Sequence, residues 1–188
     1  MYFKKFNTSH YENIRQEIEN ILPAEFLQTT KLGYINNSVR TTDMILSLDS
    51  INQLINDLSL KHTDIALCGF TVCKPNQGLP IHVDKGPFCL SMNIPITYSK
   101  GTFVNFYDNF GPVSVINNGS NIYYSVKEEN CKLVETLETD TPCIIDTTVP
   151  HKVINNTEHT RVMLLMRFIP KIKFSDFILA TDRGIEPL

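Results

Sequence analysis

The alternation of hydrophobic and polar positions changes its rhythm once along the chain. Near the front, Ile14, Ile18, Ile21 and Leu22 recur at helical spacing and stop at Pro23, and Ile51, Leu54, Ile55 and Leu58 repeat the pattern. Ser9 with Glu12, and Ser50 with Gln53, have the spacing of a capping box at the two starts. These signals predict two amphipathic helices whose apolar stripes face a core. From about residue 64 the period shortens. DIALCGFTVCK, LPIHVD, FCLSMNIPITY, TFVNFYD, VSVIN, NIYYSV, CKLVETLE, PCIIDTT, HKVIN and TRVMLLMRF are separated by turn-like breaks such as KPNQG, SKG, DNFGP, NNGSN and NNTEH. Many short strands without helices between them favour a sandwich or barrel over a parallel βαβ sheet. There is no internal repeat or linker. The expectation is one mainly-β domain over 1–188, with 1–63 as helical support and about 64–168 as the β core. The closing KIKFSDFILATDRGIEPL has no clear period.

Composition narrows the class without changing the fold. The 188 residues are 42% hydrophobic and 20% charged, an ordinary soluble balance. A formal net charge of −3 gives no general attraction to nucleic acid, so a small molecule or peptide side chain is the expected partner rather than duplex DNA. No apolar run approaches the ~20 residues of a membrane span, and MYFKKFNTSHYENIRQEIEN is too polar for a signal peptide. Five scattered cysteines (68, 73, 89, 131 and 143) suit a reducing cytoplasm better than a disulfide scaffold. Cys68 and Cys73 lack the CxxC spacing and second pair of a zinc site.

The chemistry concentrates in IHVDKG. In an extended strand His82 and Asp84 share a face. They can hold a metal if a third ligand arrives, or they can simply hydrogen-bond each other. Of the other histidines, His10, His62 and His159 lie at helix ends or in a polar turn, whereas His151 stands where PCIIDTTVP gives way to KVIN. Two nitrogens and one carboxylate oxygen would leave up to three positions on an octahedral metal, the facial arrangement of non-haem iron(II) oxygenases. Ten residues beyond His151, Arg161 opens TRVMLLMRF, and Arg167 has the same strand parity. A buried guanidinium needs an anion, which its planar fork grips with two bonds. Both arginines could instead occupy a solvated face opposite Val162, Leu164, Met166 and Phe168.

IHVD followed by PHKVIN and TRVMLLMRF resembles the iron(II)- and 2-oxoglutarate-dependent dioxygenase superfamily, whose pattern is H-x-D, a distal His and an Arg about ten residues later. LPIHVDKGPFCLSMNIPI … GTFVNFYDN is similar to short bacteriophage and bacterial members. PCIIDTTVPHKVINN resembles the distal-His region of the aspartyl/asparaginyl β-hydroxylase branch, which can lack the acidic ligand kept here as Asp84. The resemblance covers roughly residues 64–168 and leaves the first 60 residues and the tail outside. It implies a double-stranded β-helix, or jelly roll, of the cupin kind. It also implies Fe(II) on His82, Asp84 and His151, with 2-oxoglutarate chelating the metal and reaching Arg161 through its far carboxylate. Dioxygen is the second cosubstrate, and succinate, CO2 and a hydroxylated aliphatic C–H are the expected outcome.

Asn93 is a candidate contact to 2-oxoglutarate or a metal ligand, with a strand-edge hydrogen bond as the alternative. The Tyr107 hydroxyl is a candidate contact to the far carboxylate, with core packing as its alternative. Asp146 could orient His151 or cap its own loop. Two readings outside the oxygenases stay open: a cupin-like isomerase or hydrolase on another divalent metal, and a non-catalytic β-sandwich binding module.

Overall fold

Each of the ten alternating runs becomes a strand in the computed structural model, which describes residues 2–22, 33–35, 39–84, 89–97, 99–109, 111–117 and 122–178. They are β3 (Ile65–Cys73), β5 (His82–Asp84), β6 (Leu90–Pro95), β7 (Thr102–Asn109), β8 (Val113–Asn117), β9 (Ile122–Val126), β10 (Cys131–Glu138), β11 (Cys143–Asp146), β12 (His151–Asn155) and β13 (Arg161–Phe168). Short strands β1 (Phe3–Lys5), β2 (Gly33–Ile35) and β4 (Gln77–Gly78) join them. The sheets have the orders β1-β11-β6-β13-β3-β2 and β10-β7-β12-β5-β9-β8, with β4 against β12. Following the chain, β3, β6, β11 and β13 enter one sheet while β5, β7, β10 and β12 enter the other. That interleaving of antiparallel strands is the expected double-stranded β-helix. The β8–β9 hairpin extends the second sheet beyond β5.

The helices cover the apolar outer side of the first sheet. Helices α1 (Tyr11–Ile21) and α3 (Asp49–Asp57) follow the two apolar stripes, and α2 (Val39–Leu46) and the short α4 (Phe174–Ile178) are helices that the spacing does not announce. Ile14, Ile18, Ile51, Leu54 and Ile55 are buried in one cluster with Leu90, Met92, Ile94, Val162, Leu164, Met166 and Phe168. Each such side chain contributes roughly 1.5–3 kcal/mol of burial. The alternate residues of β6 and β13 therefore face the second sheet.

The helix starts differ from expectation. Tyr11 begins α1 after His10, whose N–H is accepted by the Thr8 hydroxyl, so Ser9 is not the cap. Leu48 precedes α3, and the Ser50 hydroxyl donates to Glu17 at 2.6 Å, joining α3 to α1 instead of capping its own helix. Between the sheets, Val104, Phe106, Leu137, Cys143 and Ile145 close the interior. Tyr2 and Phe3 stack on Phe106 at 5.7 and 5.8 Å. Among the described residues, no helix is long and apolar enough to cross a membrane.

Candidate metal centre

The ladders bring the H-x-D strand and the distal histidine together. His82 is the register partner of His151 across β5 and β12, and of Ser125 across β5 and β9. Both imidazoles are nearly fully buried, with ring centroids 4.3 Å apart. His82 Nδ1 lies 2.8 Å from the Pro80 carbonyl and His151 Nδ1 lies 2.8 Å from the Val149 carbonyl. A carbonyl oxygen only accepts, so each Nδ1 carries a proton, and in the neutral ring this tautomer puts the lone pair on Nε2. Prolines help set the backbone leading into both strands. Pro80 supplies one carbonyl, and Pro150 restricts Val149, the residue before it, to extended backbone. The Pro150 carbonyl in turn accepts from the Tyr107 N–H at 2.8 Å.

Asp84 completes the cluster. One ligand atom from each of His82, Asp84 and His151 lies within 4.8 Å of the other two. His82 Nε2 and Asp84 Oδ1 are 3.7 Å apart, too far for the hydrogen bond that a purely structural pair would make. Burial, with His82 beside it, pushes the His151 imidazole down to about 4, so it is neutral near neutral pH. Burial alone would raise the Asp84 carboxyl. The Arg167 guanidinium, with His151 and His82, outweighs it and holds Asp84 below its ordinary value. Two imidazole nitrogens and one carboxylate suit a divalent transition ion and leave part of its coordination sphere open. Hydrogen bonds to both Nδ1 positions are the usual outer support of such ligands.

The three residues open on a cleft of about 360 Å³, counting its mouth. Arg161 and Arg167 both line it, so the solvated-face alternative for β13 does not hold. Arg161 is 2% exposed. It lies opposite Cys73 across β13 and β3, and Thr71, Leu79, Val104 and Val153 also line the cleft. Arg167 lies six residues along β13, opposite Ser91, and its Nη1 is 2.6 Å from Asp84 Oδ2. Sequence parity places both arginines on one face, but it contains no signal that Asp84 is the partner of Arg167.

Asn93 is buried on the cleft wall, where its Oδ1 accepts the Ser91 hydroxyl at 2.9 Å. Tyr107 stands elsewhere. It packs with Ile81 and Val126 in a separate cluster, its hydroxyl accepts from Asn105 Nδ2 at 3.4 Å, and it is not among the cleft residues. Strand alternation accounts for this, since Val104 and Phe106 take the inward positions of β7. Asp146 caps its loop by accepting from the Thr148 N–H and hydroxyl at 2.9 and 2.6 Å. His151 is oriented by Val149 instead.

The sequence profile of the aspartyl/asparaginyl beta-hydroxylase family matches residues 8–170. The match extends the resemblance through α1, α2 and α3, which the H-x-D, distal-His and Arg motifs leave outside. No curated protein matches the chain in sequence. Among solved structures, the non-heme monooxygenase ThoJ in its apo form has a TM-score of 0.48 at 14% identity, covering 90% of this chain and 72% of that one. EvdO2 from Micromonospora carbonacea var. aurantiaca, complexed with 2-oxoglutarate, has a TM-score of 0.48 at 16% identity, covering 73% and 66%. A Pseudomonas putida prolyl-4-hydroxylase has a TM-score of 0.39 at 15% identity, covering 88% and 92%. By the extent of the profile match, the chain belongs to the aspartyl/asparaginyl beta-hydroxylase family, within the iron(II)- and 2-oxoglutarate-dependent dioxygenase superfamily.

Proposed function

We propose that this protein is an Fe(II)- and 2-oxoglutarate-dependent dioxygenase that hydroxylates an aliphatic C–H of a small molecule or peptide side chain. The observation that carries this reading is the convergence of His82, His151 and Asp84, with each imidazole held at Nδ1 by a main-chain carbonyl. Iron, 2-oxoglutarate and dioxygen together supply the oxidising chemistry, with succinate and CO2 as the coproducts.

The chain contributes position and surroundings. His82, His151 and Asp84 hold the metal on the face of the second sheet. Arg161 offers its fork of N–H donors to the far carboxylate of 2-oxoglutarate in the cleft, whose apolar lining includes Leu79, Val104 and Val153. Those apolar walls limit water around the charged contact, which strengthens it. Asn93 provides a nearby amide for the cosubstrate or for a ligand. The neutral state of His151 near pH 7 makes a proton release on metal binding unnecessary at that residue. The reading takes 1–188 as one oxygenase domain, with 1–63 supporting the β core. Its acidic balance favours a small or peptide substrate over nucleic acid.

The deciding experiment is an anaerobic Fe(II) reconstitution followed by a screen of cytosolic metabolites and peptides. The expected result is substrate-dependent succinate and a product heavier by one oxygen atom, both requiring O2. Turnover that needs neither O2 nor 2-oxoglutarate would overturn the proposal in favour of a metal-dependent isomerase or hydrolase.

A further inference from the structure

We infer that Arg167 is a positioning residue that holds Asp84 as a one-oxygen metal ligand by engaging its second oxygen. The inference rests on the reading of Asp84 as a metal ligand and adds what that reading leaves open, which is how many positions the carboxylate takes.

A carboxylate facing a divalent ion can bind through one oxygen or chelate through both. On an octahedral ion three single-atom protein ligands leave three positions, and chelation by Asp84 would leave two. A cosubstrate that takes two positions and a dioxygen that takes one need all three. The structure separates the two oxygens of Asp84. Oδ1 is the oxygen 3.7 Å from His82 Nε2, while Oδ2 is 2.6 Å from Arg167 Nη1. Both side chains of this ion pair are largely buried, at 12% and 15% exposure. At that depth solvent screening is weak and the contact constrains the rotation of the carboxylate.

Arg167 is itself fixed. Its Nη1 donates to the Thr147 hydroxyl at 3.2 Å. The Thr147 carbonyl accepts from the Asp84 N–H at 3.2 Å, and the Thr147 N–H donates to the Cys89 carbonyl at 2.9 Å. Asp84, Arg167 and Thr147 thus form a closed ring drawn from β5, β13 and the turn after β11. The ring stands where strand pairing stops, because β12 pairs with β5 only through His151 and His82. It steadies the last residue of β5 on the side that the ladder leaves. Arg161 cannot do this. Six residues of strand separate the Cα atoms of the two arginines by roughly 20 Å. One strand therefore carries two cations with different tasks, Arg161 for the cosubstrate and Arg167 for the metal carboxylate.

The test uses the full chain loaded anaerobically with Co(II), with no cosubstrate present. Carboxylate infrared bands distinguish the modes, because the antisymmetric and symmetric stretches are widely separated for one-oxygen ligation and close together for chelation. The Asp84 bands are assigned by their loss in Asp84→Asn. Wild type is expected to show the wide separation and Arg167→Met the narrow one, with cobalt retained because a neighbouring positive charge has been removed. Thr147→Val, which takes away one anchor of Arg167, is expected to fall between them and decides the matter if Arg167→Met does not fold. An unchanged wide separation in the folded, cobalt-loaded variants, or loss of cobalt from folded Arg167→Met, overturns the positioning role alone. A wild type that binds no cobalt, or whose carboxylate bands are unaffected in Asp84→Asn, overturns the metal-site reading beneath it.

Discussion

His82 and His151 face each other across the β5–β12 ladder, each with its Nδ1 turned to a main-chain carbonyl two residues upstream at 2.8 Å. This repeated local geometry lets main-chain carbonyls give the pair a common orientation. Replacing both by alanine should abolish stoichiometric Fe(II) binding, and Asp84→Ala should weaken it. Anaerobic calorimetry on proteins with unchanged circular dichroism measures both effects. Unchanged affinity in the folded double variant would mean that the metal binds elsewhere.

The burial of His151 also makes the metal-free protein sensitive to acid. Its folded value, about 4, is below the ordinary 6.5, so between those pH values the unfolded chain holds a proton that the folded chain lacks. Stability is therefore complete above pH 6.5, falls as the pH drops through the window and levels off below about 4. The loss from this group is about 3 kcal/mol. Asp84, held below its ordinary 3.8, adds a further loss only in stronger acid, as its carboxylate becomes protonated in the folded state. Urea unfolding of the metal-free protein from pH 7 to pH 4.5 should show the decline, and His151→Gln should flatten it. An equal slope in the variant would assign the pH dependence to other groups.

Gly78 offers a test of how β12 is held against the chain before the H-x-D strand. A Cβ built there would collide with the Val153 carbonyl oxygen, which already accepts from the Leu79 N–H at 2.9 Å. All its near neighbours are backbone, so Gly78→Ala must push β4 away from β12. Asn155 resists that movement, because its Nδ2 donates to the Cys73, Lys74 and His159 carbonyls. Overpacking at such a contact costs about 1–3 kcal/mol. A drop of that size in chemical denaturation, with faster amide exchange at Leu79, is the expected outcome. A neutral substitution would show that β4 can separate from β12 at little cost.

The strands were legible because alternation in β6 and β13 assigns each side chain to a face. Leu90, Met92 and Ile94 against Ser91 and Asn93 already separate the helix-facing side from the cleft. Alternation cannot say what covers a face, so the arginines of β13 could be assigned to one side but not to an interior. Nor can it join residues distant in sequence. Arg167 and Asp84 meet only because β13 and β5 belong to facing sheets. Tyr107 shows the same limit, since either parity of TFVNFYD could face inward, and the pairing of Phe106 with His151 decides between them. The cap at Ser9 failed because Thr8 accepts the His10 and Tyr11 N–H groups at the helix start, and the cap at Ser50 because its hydroxyl goes to Glu17 in a tertiary contact.

Arg161 carries the most specific prediction about the cosubstrate. Its guanidinium is buried in the cleft, whose lining also includes Leu79, Val104 and Val153, and it stands six residues along β13 from Arg167, the partner of Asp84. A dicarboxylate held at one end by a metal has its second charge free to meet such a group, and a desolvated, two-point contact with arginine is worth roughly 2–5 kcal/mol. Arg161→Ala should therefore leave Fe(II) affinity unchanged while weakening 2-oxoglutarate binding by that amount. Arg161→Lys should recover only part of it, since an ammonium keeps the charge but loses the planar fork. Titration of the anaerobic iron complex, followed by its metal-to-ligand charge-transfer absorption, separates the two affinities. Equal 2-oxoglutarate affinity in wild type and Arg161→Ala would show that another group holds the far carboxylate. A loss of iron together with cosubstrate would instead make Arg161 a support of the metal centre.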